Sequence, residues 1–148
     1  MPVSGSDFGG GTRSPIMVET ELFEHREVKP NFINPCCFGE DFATWLRDGL
    51  RGIPNLGVEL SDPIQEDYGW GLWASDGKDR LWIALSFVGD GPQDPPAQWA
   101  ISVVNDPGLN VFKRLTHKAD HELLERVRAG VLNVIASNAG IRTIRHDF

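Results

Sequence analysis

The stretch Trp70–Val88, WGLWASDGKDRLWIALSFV, decides the fold. Large apolar residues alternate with small or polar ones on both sides of Asp76-Gly77-Lys78, as is typical of strands with two unequal faces. Glycine readily adopts positive φ, so Gly77 favours a tight turn. The pattern predicts a hairpin of two strands, Trp70–Ser75 and Arg80–Val88.

Further strands are predicted outward from this hairpin. The segment Gln98–Asn105 alternates in the same way, and the proline-rich stretch Gly89–Ala97 before it reads as a loop. Near the N-terminus, Ile16–Val28 mixes β-branched residues with glutamates and predicts an edge-type strand with its acidic side chains in water. A short strand, Ile141–Arg145, is expected last, and a short piece around Val58 stays open.

Two segments show helical spacing of apolar residues. The first helix is predicted over 39–51, with acidic residues in its first turn and Gly52 and Pro54 after its end. The second is predicted over 118–138, where leucine, valine and isoleucine recur at three- and four-residue steps. Both helices therefore carry one apolar face.

The predicted fold class is α+β: a mainly antiparallel sheet of four to six strands with two helices packed on one face. Glycine, serine and proline dominate residues 1–15, which predicts a flexible tail. Residues 16–148 are expected to form a single α+β domain, since their number suits one domain with its own core.

Alternation sorts the strand residues by face. One predicted face carries large apolar side chains and is expected to lie under the helices: Leu81, Ile83, Leu85, Phe87, Trp99, Ile101 and Val103. The opposite face mixes two tryptophans with small residues: Trp73, Trp82, Ala84, Ser86, Ala100 and Ser102. The second set suits a binding groove, a dimer surface, or a layer covered by the N-terminal segment or the loop around Pro92–Pro96.

The charge of the chain limits its partners. The net charge is −7 at pH 7, which disfavours sequence-independent nucleic-acid binding and favours a basic protein partner. No apolar run is long enough for a membrane helix, and the N-terminus lacks the pattern of a secretory signal. We therefore expect no membrane association and a cytoplasmic location.

Cysteine and histidine give little support for a metal or cofactor. Cys36 and Cys37 are neighbours, too close for an ordinary disulfide, and read as reduced thiols, with a redox or metal role as the alternative. His117 and His121 have helical spacing, but the HExxH pattern of metalloproteases is absent. No phosphate-binding glycine loop or nucleophile motif is present, and Ser86 or Ser102 with His25 makes no recognisable triad. We predict no catalytic residue, no metal and no cofactor.

The segment Glu66-Asp67-Tyr68-Gly69-Trp70, which leads into the first central strand, is the most distinctive motif. Adjacent carboxylates beside aromatic rings suit general acid–base chemistry, although neighbours on a strand point to opposite faces. Capping of loop amides, or pairing with Arg142 or Arg145, explains the carboxylates structurally. The predicted binding residues are Glu66, Asp67, Trp70, Trp73 and Trp82.

The elements Asn34-Pro35…Phe38-Gly39 and Glu66-Asp67-Tyr68-Gly69-Trp70 resemble the NPxxFG and EDWGW-like motifs of a group of small bacterial proteins. Tyr68 stands where that motif has tryptophan. The resemblance covers about residues 34–104. It implies a bacterial α+β domain of no established activity, and it supplies no catalytic residue.

Three hypotheses for the function follow. The first is a small acidic cytoplasmic protein-binding module, immunity-like or regulatory, that uses the sheet face bearing Trp73 and Trp82. The second is a small enzyme or ligand-binding protein with a tryptophan-lined pocket and the Glu66 and Asp67 carboxylates. The third is a homodimer formed through the same face. The absence of a catalytic signature favours a protein that is not an enzyme.

Overall fold

A computed structural model describes residues 15–25, 38–88, 97–105 and 120–145. Predictions that concern the N-terminal tail, Cys36 and Cys37, the loop 89–96 and His117 lie outside these residues. The described elements, in chain order, are β1 Ile16–Glu19, α1 Glu40–Arg51, β2 Glu59–Leu60, β3 Ile64–Glu66, β4 Gly69–Ser75, β5 Arg80–Val88, β6 Gln98–Asn105, α2 Asp120–Ala136 and β7 Arg142–Arg145.

The strands form one antiparallel sheet in the order β2-β4-β5-β6-β1-β7, and β3 pairs with β4 beside β2. The α+β class and the antiparallel sheet are confirmed. The described sheet has seven strands rather than four to six. Two of the strands, β2 and β3, are only two and three residues long. β2 directly follows Val58, around which the sequence left a short piece open, and neither strand is long enough for alternation to identify it.

Both helices pack on one face of the sheet and on each other. The face predicted to lie under them is buried, with Leu81, Ile83, Leu85, Trp99 and Ile101 fully inaccessible. On α1, the helical spacing predicts an apolar face of four residues, Phe42, Trp45, Leu46 and Leu50. All of these except Trp45 are buried, and Trp45 packs at the edge of the core. The hydrophobic core therefore lies between the helices and this side of the sheet.

The N-terminal strand differs from the prediction in length and in position. β1 ends at Glu19, because the chain bends as the Thr20 hydroxyl accepts a hydrogen bond from the Leu22 amide, 3.1 Å away. The prediction of an edge strand is wrong: β1 pairs with β6 on one side and β7 on the other. The reason is that the C-terminal strand returns antiparallel to β1 and takes the edge itself.

Candidate functional site

The candidate site lies on the sheet face opposite the helices, which we call the outer face. Strand pairing brings together the residues predicted for it: Trp73 lies opposite Trp82, Ala84 opposite Ser102, and Ser86 opposite Ala100. These side chains are all half-buried. The outer face is thus a shallow floor of small residues with two tryptophans at one end.

Trp82 is held in place by three neighbours. A Cβ atom added to Gly71 would lie 2.1 Å from Cζ2 of the Trp82 ring, so the indole lies directly over this glycine. Its Nε1–H donates a hydrogen bond of 2.5 Å to the Tyr68 hydroxyl. The Trp73 and Trp82 ring centroids are 4.6 Å apart, with an interplanar angle of 60°. The position of Trp82 is therefore fixed by contacts within the chain.

The side chain of Arg80 contacts one of the two tryptophans, Trp73. Its guanidinium carbon lies 4.0 Å from the centroid of the Trp73 ring, within the range of a cation–π contact. Arg80 lies two residues before Trp82 on β5, and Trp82 is paired with Trp73. Since side chains two residues apart on a strand share a face, Arg80 and Trp73 lie on the same side of the hairpin. The outer face thus contains one tryptophan covered by a cation of the chain itself.

The two carboxylates of the motif occupy different positions. Glu66 is the last residue of β3 and lies opposite Gly69, so it belongs to the outer face. Asp67 begins the turn between β3 and β4 and is exposed. Burial raises the pKa of the Tyr68 phenol above its usual value, the negative charge of Glu66 adds to this effect, and the hydrogen bond from Trp82 opposes it. Glu66 therefore lies close enough to influence the aromatic cluster.

The predicted structural explanation of these carboxylates by Arg142 or Arg145 is wrong. Both arginines lie in β7, at the opposite edge of the sheet, with four strands between them and β3. Arg142 instead pairs with Glu19 on the neighbouring strand β1. The error arises because strand order, unlike alternation, is not a local property of the chain.

Trp70 is separated from the other predicted binding residues. It lies on the helix-covered face, is 5% exposed, and is paired with the core residue Leu85 of β5. The structure therefore brings together Trp73, Trp82 and Glu66, places Asp67 at the adjacent turn, and assigns Trp70 to the core.

Three residues of the cluster are not among the predicted binding residues. Tyr68 and Arg80 hold or cover the tryptophan rings, and Gly71 provides the recess for Trp82. The sequence feature that could have indicated this arrangement is Gly71 itself, which lies two residues before Trp73 and on the same face of the strand as the tryptophan pair. A missing side chain beside large rings marks a place where a ring lies flat on the backbone.

A second polar cluster lies near the start of β6. His25 is 1% exposed, its ring stacks on Phe87 with a centroid distance of 5.3 Å, and its Nε2 is 3.0 Å from Glu21 Oε1. The other Glu21 carboxylate oxygen accepts a hydrogen bond of 2.5 Å from the Ala97 amide. Phe87, on which His25 stacks, packs against the core, whereas the neighbouring residue Ser86 points to the outer face. His25 therefore does not face Ser86.

Neither metal ligation nor membrane insertion finds support in the described part of the chain. Within residues 15–25, 38–88, 97–105 and 120–145, no group of three or more histidine, cysteine, aspartate or glutamate side chains could hold a metal ion. His121, one of the two spaced histidines, is exposed. Among the helices of these residues, none has the length and apolar character needed to cross a membrane.

Comparisons with known proteins complete the description of the site. No family model matches the chain, and no match was found among curated proteins or among solved structures. The site must therefore be interpreted from its own geometry.

Proposed function

We propose that this chain is a protein-binding module and that its outer face, centred on Trp73 and Trp82, contacts the partner. The observation that carries the proposal is the preorganised tryptophan pair on the sheet face opposite the two described helices. Tryptophan is enriched among the residues that dominate binding energy at protein interfaces. A ring that is already held in place loses little conformational entropy when a partner binds.

The small residues beside the pair support the same role. Ala84, Ser86, Ala100 and Ser102 carry small side chains on the outer face, so a partner can approach the sheet closely beside the two rings. A flat floor next to fixed aromatic rings combines shape complementarity with anchors, as protein interfaces require. A role as a regulatory or immunity-like module in the cytoplasm is the form of this function that the acidic composition suggests.

Site-specific photo-crosslinking in the host cells tests the proposal. A photoreactive amino acid placed at Ala84 or Ser102 is expected to give a covalent adduct with one partner protein. The matched control is Ala129, which is exposed on α2 and so belongs to the helical layer. Adducts from the outer face that disappear in a Trp82→Phe background support the proposal.

Three results would count against it. Equal crosslinking from Ala129 would remove the assignment to the outer face. Adducts of twice the mass of the chain would identify a second copy as the occupant and favour the homodimer hypothesis. A small molecule that protects Trp82 from quenching, without any protein adduct, would favour the ligand-binding hypothesis with Glu66 in the pocket.

A further inference from the structure

We infer that the outer face recognises an arginine side chain of the partner protein, stacked on the Trp82 ring and facing the Glu66 carboxylate. This inference rests on the proposed protein-binding function and adds the chemical class of the residue that the site takes. It is carried by the orientation of Trp82, by the Arg80–Trp73 contact, and by the charge of the neighbouring edge.

The Trp82 ring is fixed on one side and remains partly accessible. One side of the indole lies on Gly71, where an added Cβ would be 2.1–2.8 Å from three ring atoms. The N–H in the plane of the ring is bound by Tyr68. The second face of the ring is turned away from Gly71, and Trp82, which also packs against Trp73, keeps part of its surface accessible. A fixed, electron-rich face of this kind attracts cations through the ring quadrupole, and tryptophan is the best aromatic residue for it.

The chain itself shows that a guanidinium fits this environment. Arg80 stacks on Trp73 at 4.0 Å from the ring centroid, and Trp73 is the direct strand partner of Trp82. A planar guanidinium stacks on an aromatic ring better than a compact ammonium group does, and it keeps its hydrogen-bond donors free at its edge. An arginine on Trp82 would repeat the arrangement that Arg80 makes on the neighbouring ring.

The charge of the adjacent edge supplies the complementary partner. Residues 59–79, which form β2, β3, β4 and their connections, contain six carboxylates and one lysine. Glu66 lies on the outer face beside Tyr68, and Glu59, opposite Ser75, lies on the same face nearer Arg80. Carboxylates accept the forked donors of arginine in a bidentate manner. An aromatic face next to a carboxylate therefore suits arginine more than any neutral or acidic side chain.

A titration of the whole protein with defined peptides tests the inference. The probe is acetyl-Gly-Arg-Gly-amide, and its control is the citrulline peptide, which has nearly the same shape but no charge. The readout is the indole N–H resonance of Trp82 in a ¹⁵N spectrum, assigned by its loss in Trp82→Phe. We expect the arginine peptide to shift this resonance and to bind about two- to fivefold more tightly than the citrulline peptide.

Charge-matched variants distinguish binding at this site from a general attraction between the acidic protein and the positively charged peptide. Glu66→Gln is expected to weaken arginine binding by about twofold or more, as for a partly exposed ion pair. Glu122→Gln removes the same charge from a side chain of α2 that is 84% exposed, and it is expected to leave binding unchanged. Amide spectra of both variants establish that the fold is retained.

The outcomes distinguish this inference from the proposed function. Equal binding of the citrulline peptide, or equal effects of the two glutamate variants, overturns the arginine assignment. If outer-face crosslinks to a partner persist in that case, the protein-binding function stands without it. If the crosslinks fail while the arginine peptide still shifts Trp82, the site recognises guanidinium but the protein-binding function is wrong.

Discussion

At the scale of single residues, Gly71 sets how Trp82 lies. We predict that Gly71→Ala lowers the free energy of unfolding by about 1–3 kcal/mol, because its methyl group would collide with the indole. In a Trp82→Ala background the same change should stabilise the protein by about 0.5–1 kcal/mol, since a strand glycine is entropically costly. Urea denaturation of the wild type, the two single variants and the double variant measures both values. A cost of Gly71→Ala that is the same in both backgrounds would contradict this role.

Tyr68 carries a second prediction at the residue scale. Its folded pKa is raised by burial, so its contribution to stability is complete below the unfolded pKa of about 10 and is lost as pH rises through the folded value. Unfolding free energy should therefore fall more steeply between about pH 9 and pH 11 in the wild type than in Tyr68→Phe. Parallel slopes would show that the phenol has the same environment in the folded and unfolded chain.

At the scale of elements, Glu21 joins the end of β1 to the start of β6. Its carboxylate accepts a hydrogen bond from the Ala97 amide and also contacts the ring of His25. The substitution Glu21→Ala therefore leaves a buried amide and a buried histidine without this partner. We expect a loss of about 1–3 kcal/mol in unfolding free energy, with faster hydrogen exchange at Ala97.

The matched control for Glu21 is Glu122→Ala. That side chain makes a surface ion pair with Arg126 at 3.8 Å, within one helix. Such exposed pairs contribute at most about 0.5 kcal/mol. If the two glutamate variants lose equal stability, the bridge between the strands has no special role.

At the scale of the whole molecule, β7 protects β1 from becoming an edge. Deletion of residues 141–148 would remove β7 and the buried side chain of Ile141. It would expose the backbone groups of β1, and an unpaired strand is a template for pairing with other chains. We predict lower stability and stronger concentration-dependent association than in the full chain, measured by light scattering. Unchanged association would mean that pairing with β7 does not protect β1 from pairing with other chains.

The local pattern of the sequence determined much of this molecule. Alternation identified the central hairpin and the two faces, because side chains on a strand must point in opposite directions in turn. Helical spacing identified α1 and α2, because a helix needs one apolar face to pack. The tryptophans of the outer face, Trp73 and Trp82, and the core position of residues such as Ile83 follow from the same rule.

Only the tertiary structure decided how these elements meet. β1 lies inside the sheet because it pairs with the distant strand β7. Glu19 likewise pairs with Arg142, and Glu21 binds the amide of Ala97. Each of these contacts joins residues more than 70 positions apart in the sequence. Likewise, the recess at Gly71 acquires meaning only when β5 places Trp82 above it. A periodic pattern constrains each segment by itself, whereas strand order and ring placement depend on which distant segment supplies the missing hydrogen bonds and contacts.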